Sequence, residues 1–87
     1  MSTGIAKNSL GEQTAHLKFA KACDLHQGST PKDAIPLYLE LWNSIKHERS
    51  GINAAAIFRQ IKEPKKAIKT LREVVTYYPN SGPAWGN

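Results

Sequence analysis

The fold of this chain is decided by residues 51–85, which read GINAAAIFRQIKEPKKAIKTLREVVTYYPNSGPAW. A short turn at 63–64 separates two predicted helices, at 52–62 and 65–78. The run of proline, asparagine, serine and glycine at 79–83 is a strong helix stop. Apolar residues of the second helix fall on one helix face, which is the pattern of a helix that packs against a core. The residues predicted to point inward are Ala67, Ile68, Leu71, Val74 and Val75.

A repeat spacing runs through the same stretch, because Trp85 follows Gly51 by 34 residues. The pattern resembles the tetratricopeptide (TPR) repeat, which is about 34 residues long. The matching positions are Gly51 for the family's Trp, Ala54-Ala55 for Leu-Gly, Phe58 for Tyr, Ala67 for Ala, Leu71 for Phe and Pro79 for Pro. Gly51 and Val74 depart from the family pattern. The resemblance implies a stack of helix hairpins that serves as a binding scaffold for another chain.

The resemblance also implies a close contact between helices at two small residues. Ala55 and Ala67 fall where the two helices of one unit approach closely, and a large side chain there would force them apart and open a void. A generic antiparallel helix hairpin is the alternative. With either arrangement the chain is all-α.

An earlier repeat unit is predicted at residues 15–47, because Ala34 lies 33 residues before Ala67. Helices are expected at 10–27 and 31–49, and the register of the first one stays open. Apolar residues of the second helix recur at three- and four-residue steps. The residues predicted to share its apolar face are Leu37, Tyr38, Leu41, Trp42 and Ile45.

Capping and breaking signals set the helix ends. Ser9 and Thr30 are expected to cap the first and second helices, and Ser50-Gly51 is expected to break the chain before the third.

The domain boundaries follow from these ends. Residues 1–9 are predicted to be a flexible N-terminal tail, and residues 10–87 a TPR-like helical domain. Residues 84–87 would begin a fifth helix that has no room to form. The predicted fold is therefore all-α, a TPR-like stack of two antiparallel helix hairpins with a truncated third repeat.

Composition limits the function classes. A chain of 87 residues has a small core and no room for a catalytic cleft as well as its scaffold. The formal charge of +5 favours an acidic peptide, nucleic acid or an anionic membrane surface as partner, and a merely solvated surface is the alternative. The single cysteine indicates a reducing compartment. With no apolar run of about 18 residues and a polar N-terminus, we predict no membrane span, no signal peptide and a cytoplasmic location.

The sequence contains no pattern typical of a catalytic, cofactor-binding or metal site. His16, His26 and His47 lack the spacing of a metal site. Cys23 lies among apolar neighbours and is interpreted as a buried small hydrophobe. Glycine-rich phosphate loops and paired carboxylates do not occur. We therefore predict a protein that is not an enzyme, with no catalytic residue, no cofactor and no metal.

The resemblance implies that the leading partner-binding residue lies on the third helix. Asn53 comes two residues after Gly51, at a place that faces the concave groove in TPR proteins. An asparagine there often hydrogen-bonds the backbone of a bound peptide, because its amide both donates and accepts. The other residues expected on this face are Arg49, Ala56, Arg59 and Gln60. The leading hypothesis is a protein–protein interaction module that binds a peptide or helix of a partner protein, and the alternative for each residue is an ordinary exposed position.

A basic run crosses the second hairpin. Its members are Lys62, Lys65, Lys66, Lys69 and Arg72. Phosphate contacts need cations on one helix face, and part of this run has that spacing. Stacking aromatic residues are not expected beside it, since Tyr77 and Tyr78 lie at the far end of the helix. Nucleic-acid binding is therefore the less favoured hypothesis, behind a solvated outer face.

The C-terminal end predicts self-association. Val74, Val75 and Tyr78 would normally be partly covered by the next repeat, which is here only begun by Trp85. Bare apolar surface favours pairing with another copy or with a helix of a partner. We therefore expect a homo-oligomer or part of a larger complex, or a self-assembling structural domain, with Trp85 in or beside the contact. The alternatives are a fragment of a longer array and a Trp85 that folds back as a cap.

Overall fold

The computed structural model describes the backbone of residues 3–82 and the side chains of residues 14–82. Its four α-helices are α1 (Thr3–Gln27), α2 (Ile35–Ile45), α3 (Glu48–Gln60) and α4 (Pro64–Tyr77). A 3-10 turn at Pro31–Ala34 leads into α2. Residues 3–82 contain no strand, so the predicted all-α class is confirmed.

Helix α1 begins at Thr3 rather than at Leu10. The segment predicted to be a flexible tail, residues 1–9, is therefore helical from Thr3, and Ser9 lies inside the helix rather than at its cap. No proline occurs in α1, and each glycine costs a helix only about 1 kcal/mol, so nothing in this polar stretch stops the helix. The other end, at Gln27, agrees with the prediction.

The junction between α2 and α3 lies before the predicted break. Lys46 ends α2 in the left-handed backbone region, with φ 52° and ψ 46°. His47 then caps α3, because its Nδ1 accepts a hydrogen bond from the backbone N–H of Ser50 at 3.3 Å. Ser50 and Gly51 lie inside α3 and are buried. The predicted break at this pair was wrong, because the histidine cap starts the helix before the glycine is reached.

Gly51 does not end a helix. It allows close packing between helices. A Cβ atom at this position would lie 2.7 Å from Cγ2 of Val74 and 3.1 Å from Cε3 of Trp42. The absence of a side chain therefore lets α3 approach both neighbouring helices closely.

Helix α2 starts differently from the prediction. Thr30 forms no side-chain cap. The chain enters through the 3-10 turn, where Pro31 supplies a backbone angle that suits a helix start. Pro36 falls in the first turn of α2, where a missing N–H is tolerated.

The core lies around α3, which packs against α2 and α4, while α1 packs against the 3-10 turn and α2. Ala55 and Ala67 are each 1% exposed and belong to the same core cluster. Ile57 is completely buried, which stabilises the fold by about 1.5–3 kcal/mol. Ile45 and Ile68 were predicted to point inward and do not, since they are 54% and 52% exposed.

Candidate functional site

A groove of about 680 Å³ lies between the end of α2 and one side of α4. We call it the α2–α4 groove. Trp42 of α2 and Lys46, the residue that follows this helix, line one end. The α4 residues that line it are Lys65, Ile68, Lys69, Arg72, Glu73, Thr76 and Tyr77. Their steps of three and four residues place them on one side of α4.

Charge in the groove is strongly unbalanced. Its lining carries four cations, from Lys46, Lys65, Lys69 and Arg72, against the single carboxylate of Glu73. Within residues 14–82, none of these four cations forms an ion pair with a carboxylate. The cations are therefore available to a ligand, and their field attracts negative charge.

Apolar surface accompanies the cations. The side chains of Ile68 and Tyr77 are 52% and 57% exposed, whereas Trp42 is only 2% exposed. The Trp42 and Tyr77 rings meet edge to face, with centroids 6.1 Å apart. Water-exposed apolar side chains framed by charge are a common feature of protein-binding surfaces.

The end of the groove at α2 is held by several contacts around Trp42. Its indole Nε1 donates a hydrogen bond to Oε1 of Glu73 at 3.0 Å. The Lys46 Nζ lies 5.4 Å from the centre of the Trp42 ring, within range of a cation–π contact. The Tyr78 hydroxyl donates to the backbone carbonyl of Lys46. These contacts connect the α2–α3 junction to α4 and fix the shape of this end.

A second cleft, of about 340 Å³, continues the surface and shares Lys69 and Glu73 with the groove. Its remaining lining residues are Leu39, Asn43, Phe58, Lys66 and Thr70. The Lys66 Nζ lies 5.9 Å from the centre of the Phe58 ring. The cationic surface therefore extends around α4 to Lys66, beyond the groove.

The contact residues predicted on α3 lie elsewhere. Arg49, Ala56, Arg59 and Gln60 are exposed, while Asn53 is half-buried. None of them lines the α2–α4 groove. Trp85 lies outside the described residues.

Asn53 belongs to a polar cluster around Tyr38, a residue that is completely buried. The Tyr38 hydroxyl donates to Sγ of Cys23 at 3.6 Å and lies 3.1 Å from Nδ1 of His26. Burial and the neighbouring Cys23 raise the pKa of Tyr38, and the nearby Asn53 side chain partly offsets the rise. Asn53 therefore lies beside the buried Tyr38 hydroxyl. Cys23 is half-buried rather than fully buried as predicted.

The structure also corrects the expectation about aromatic residues. Tyr77 was placed at the far end of the helix, away from the basic run, yet it lines the same groove as Lys65 and Lys69. The sequence spacing already indicates this arrangement, because Tyr77 follows Lys69 by two steps of four residues and therefore lies on the same face of α4. Trp42 and Lys46 could not be found in this way, since they lie within and just after another helix.

Two kinds of structure are absent from the described part of the chain. No helix there is long and apolar enough to cross a membrane. Residues 14–82 also contain no group of three histidine, cysteine or carboxylate side chains that could hold a metal ion.

Comparisons with protein-family models, curated proteins and solved structures found no match to this chain. The TPR likeness therefore stays a resemblance that the residues of the chain alone carry.

Proposed function

We propose that this chain is a helical protein-interaction module whose α2–α4 groove binds an acidic segment of a partner protein. The observation that carries the proposal is that one groove holds exposed apolar side chains together with cations that form no ion pair within residues 14–82. Acidic side chains of the ligand would pair with Lys65, Lys69 and Arg72. Its apolar side chains would cover Ile68 and Tyr77.

The dimensions suit a short segment. From Lys65 to Tyr77, α4 rises by about 18 Å at roughly 1.5 Å per residue. A ligand helix of about three turns, or an extended segment of about five residues, has the same length. A small molecule would leave much of this surface bare.

The fold proposed for this module is a TPR-like stack, in which α1 with α2 and α3 with α4 form the two hairpins. Two observations support it. Each helix packs chiefly against its neighbours in the chain, and the 34-residue spacing from Gly51 to Trp85 matches the repeat.

Nucleic-acid binding is the second candidate, because the same cations could contact phosphates. Binding of single strands also draws on aromatic ring faces on which bases stack. Only Tyr77 offers an exposed ring in the groove, since Trp42 is 2% exposed. The exposed Ile68 side chain suits an apolar side chain better than a phosphate. Together these features favour a protein ligand.

Fluorescence anisotropy with two labelled probes tests the proposal. One is a peptide of about twelve residues in which glutamates surround two leucines one helical turn apart. The other is an oligothymidine of similar length. We expect the peptide to bind more tightly at physiological salt, and the oligonucleotide to lose affinity more steeply as salt rises.

A matched pair of charge-reversal variants locates the site. Lys65→Glu with Lys69→Glu should weaken peptide binding at least about tenfold, or about 1.4 kcal/mol. Lys21→Glu with Lys32→Glu changes the net charge equally at exposed positions outside the groove, and should leave affinity within about twofold. Equal losses in both variants would show a nonspecific charge effect and refute the groove. Tighter, groove-dependent oligonucleotide binding would favour the second candidate.

A further inference from the structure

Glu73 is an exception within the groove. It is the one acidic residue among the described residues that line the groove, and it also lines the adjoining cleft. Lys69 lies one helical turn before it, and Tyr77 one turn after it. Glu73 therefore interrupts a surface that is otherwise cationic.

The carboxylate of Glu73 is positioned by the buried indole of Trp42. Trp42 Nε1 donates to Oε1 at 3.0 Å. A carboxylate accepts up to about four hydrogen bonds, and an indole supplies one. Within residues 14–82, Glu73 forms no ion pair. Most of its accepting capacity is therefore left for a ligand.

A uniformly acidic ligand would meet like charge at this point, which opposes binding. A ligand with a cationic side chain there would gain a charge-assisted hydrogen bond instead. Repulsion of the wrong charge is a common source of specificity in protein interfaces.

We propose that Glu73 makes the α2–α4 groove select a partner segment in which acidic residues flank a central lysine or arginine. This inference rests on the proposed function, because it defines the partner of the same groove. The flanking acids meet Lys65 and Lys69 on one side and Lys46 on the other, while the central cation pairs with Glu73.

Two peptides of identical composition test the charge order. Both carry glutamates around a pair of leucines, and they differ only in whether their single lysine stands at the centre or at the N-terminal end. Their net charge is the same, so long-range attraction cannot separate them. We expect the wild type to bind the central-lysine peptide about fivefold to tenfold more tightly.

Glu73→Gln is the informative variant, because the glutamine oxygen can still accept the Trp42 hydrogen bond while the charge is lost. The preference between the two peptides should fall to nearly one. Glu73→Lys provides a second variant, with a central-glutamate peptide as the preferred ligand. Thermal melts of both variants show whether they fold.

The outcomes separate the inference from the function on which it rests. If neither peptide binds the wild type, the proposed function fails. If both bind equally well, the function stands and the charge-order selection is overturned. A preference that persists unchanged in Glu73→Gln also overturns the role of Glu73. A purely structural role for Glu73 would alter stability without changing the ratio of the two affinities.

Discussion

The missing side chain at Gly51 sets how closely α3 can approach α2 and α4. The space that a Cβ would need is already occupied by Val74 and Trp42. Trp42 in turn holds Glu73 and supports one end of the α2–α4 groove. A side chain added at Gly51 would therefore displace Trp42, and through Trp42 it would alter the proposed binding surface.

Gly51→Ala should destabilise the protein, although the same change at an open helix position stabilises it. A contact of 2.7 Å forces Val74 or the backbone to move, and overpacking of this kind costs about 1–3 kcal/mol. Urea unfolding measures the loss. Combining the change with Val74→Ala should remove much of the Gly51→Ala penalty, because the colliding methyl group is gone. A penalty of full size in the double variant would argue against the contact.

Asn53→Ala distinguishes the two roles available to this residue. Because Asn53 belongs to the polar cluster around the buried Tyr38 hydroxyl, we expect a stability loss of about 0.5–1.5 kcal/mol. Gln60→Ala, at an exposed position of the same helix, should change stability by less than about 0.5 kcal/mol. If Asn53→Ala instead leaves stability intact and weakens binding of an identified partner, the predicted contact on α3 is correct.

At the scale of elements, the α2–α3 junction combines a left-handed residue with a histidine cap. Nδ1 of His47 accepts from the Ser50 N–H and lies 2.7 Å from the Ser50 hydroxyl oxygen. The Phe19 ring of α1 packs against the imidazole, with centroids 4.8 Å apart. The cap therefore works with a neutral ring, whose Nδ1 carries no proton.

The stability of the fold should consequently depend on pH through His47. Burial, with a smaller contribution from the charge of Arg49, lowers the pKa of His47 in the folded protein. The unfolded chain then binds the proton more readily, so stability rises with pH in this range. The contribution is complete above about pH 6.5, the ordinary histidine value, and is lost as pH falls through the lower folded-state pKa.

Urea unfolding at pH 7.5 and 5.5 measures this dependence, with His47→Asn as the comparison. Asparagine also caps helices and does not titrate in this range, so the variant should lose less stability than the wild type on acidification. An equal loss in both proteins would assign the pH dependence to other groups.

At the scale of the whole molecule, strong local signals predicted most elements and tertiary packing decided the rest. Helix α4 was placed within one residue at each end, because Pro64 and the stop after Tyr78 mark it clearly. The junction at Lys46 was missed, since histidine caps are hard to recognise and Gly51 resembles a break. Ile68 was wrongly assigned to the core from its apolar spacing. Thr70 is buried instead, because its hydroxyl donates a hydrogen bond within its own helix, to the Lys66 carbonyl 2.9 Å away.

The face that α4 turns toward the core differs from the predicted one, and this difference explains why the groove could not be predicted. With Thr70 facing inward, Ile68 turns outward to join Lys65 and Arg72. The cations that α4 contributes to the groove were recognised in the sequence. Which apolar residues lie exposed beside these cations depends on which face of α4 is buried. Packing between helices decides that face.

Self-association was predicted from apolar surface at the C-terminal end. In the structure, less of that surface is exposed than predicted. Val74 is completely buried rather than bare, and Val75 and Tyr78 are half-buried. The apolar residues of the groove are exposed, but two copies meeting through it would bring cations against cations. Any pairing of copies should therefore use the C-terminal end, where Trp85 was expected to contribute, and not the groove.

Sedimentation equilibrium of three proteins across a range of concentration and salt tests this prediction. Association of the wild type should weaken in Trp85→Ala, because an apolar contact is lost. It should persist in Lys65→Glu with Lys69→Glu, because those positions lie in the groove and not at the C-terminal end. If the charge variant alone dissociates, copies of the chain meet in the groove, and the proposed site for a partner segment is then an interface between copies. A wild type that stays monomeric at high micromolar concentration would leave Val75 and Tyr78 as ordinary surface and remove the argument for an oligomer.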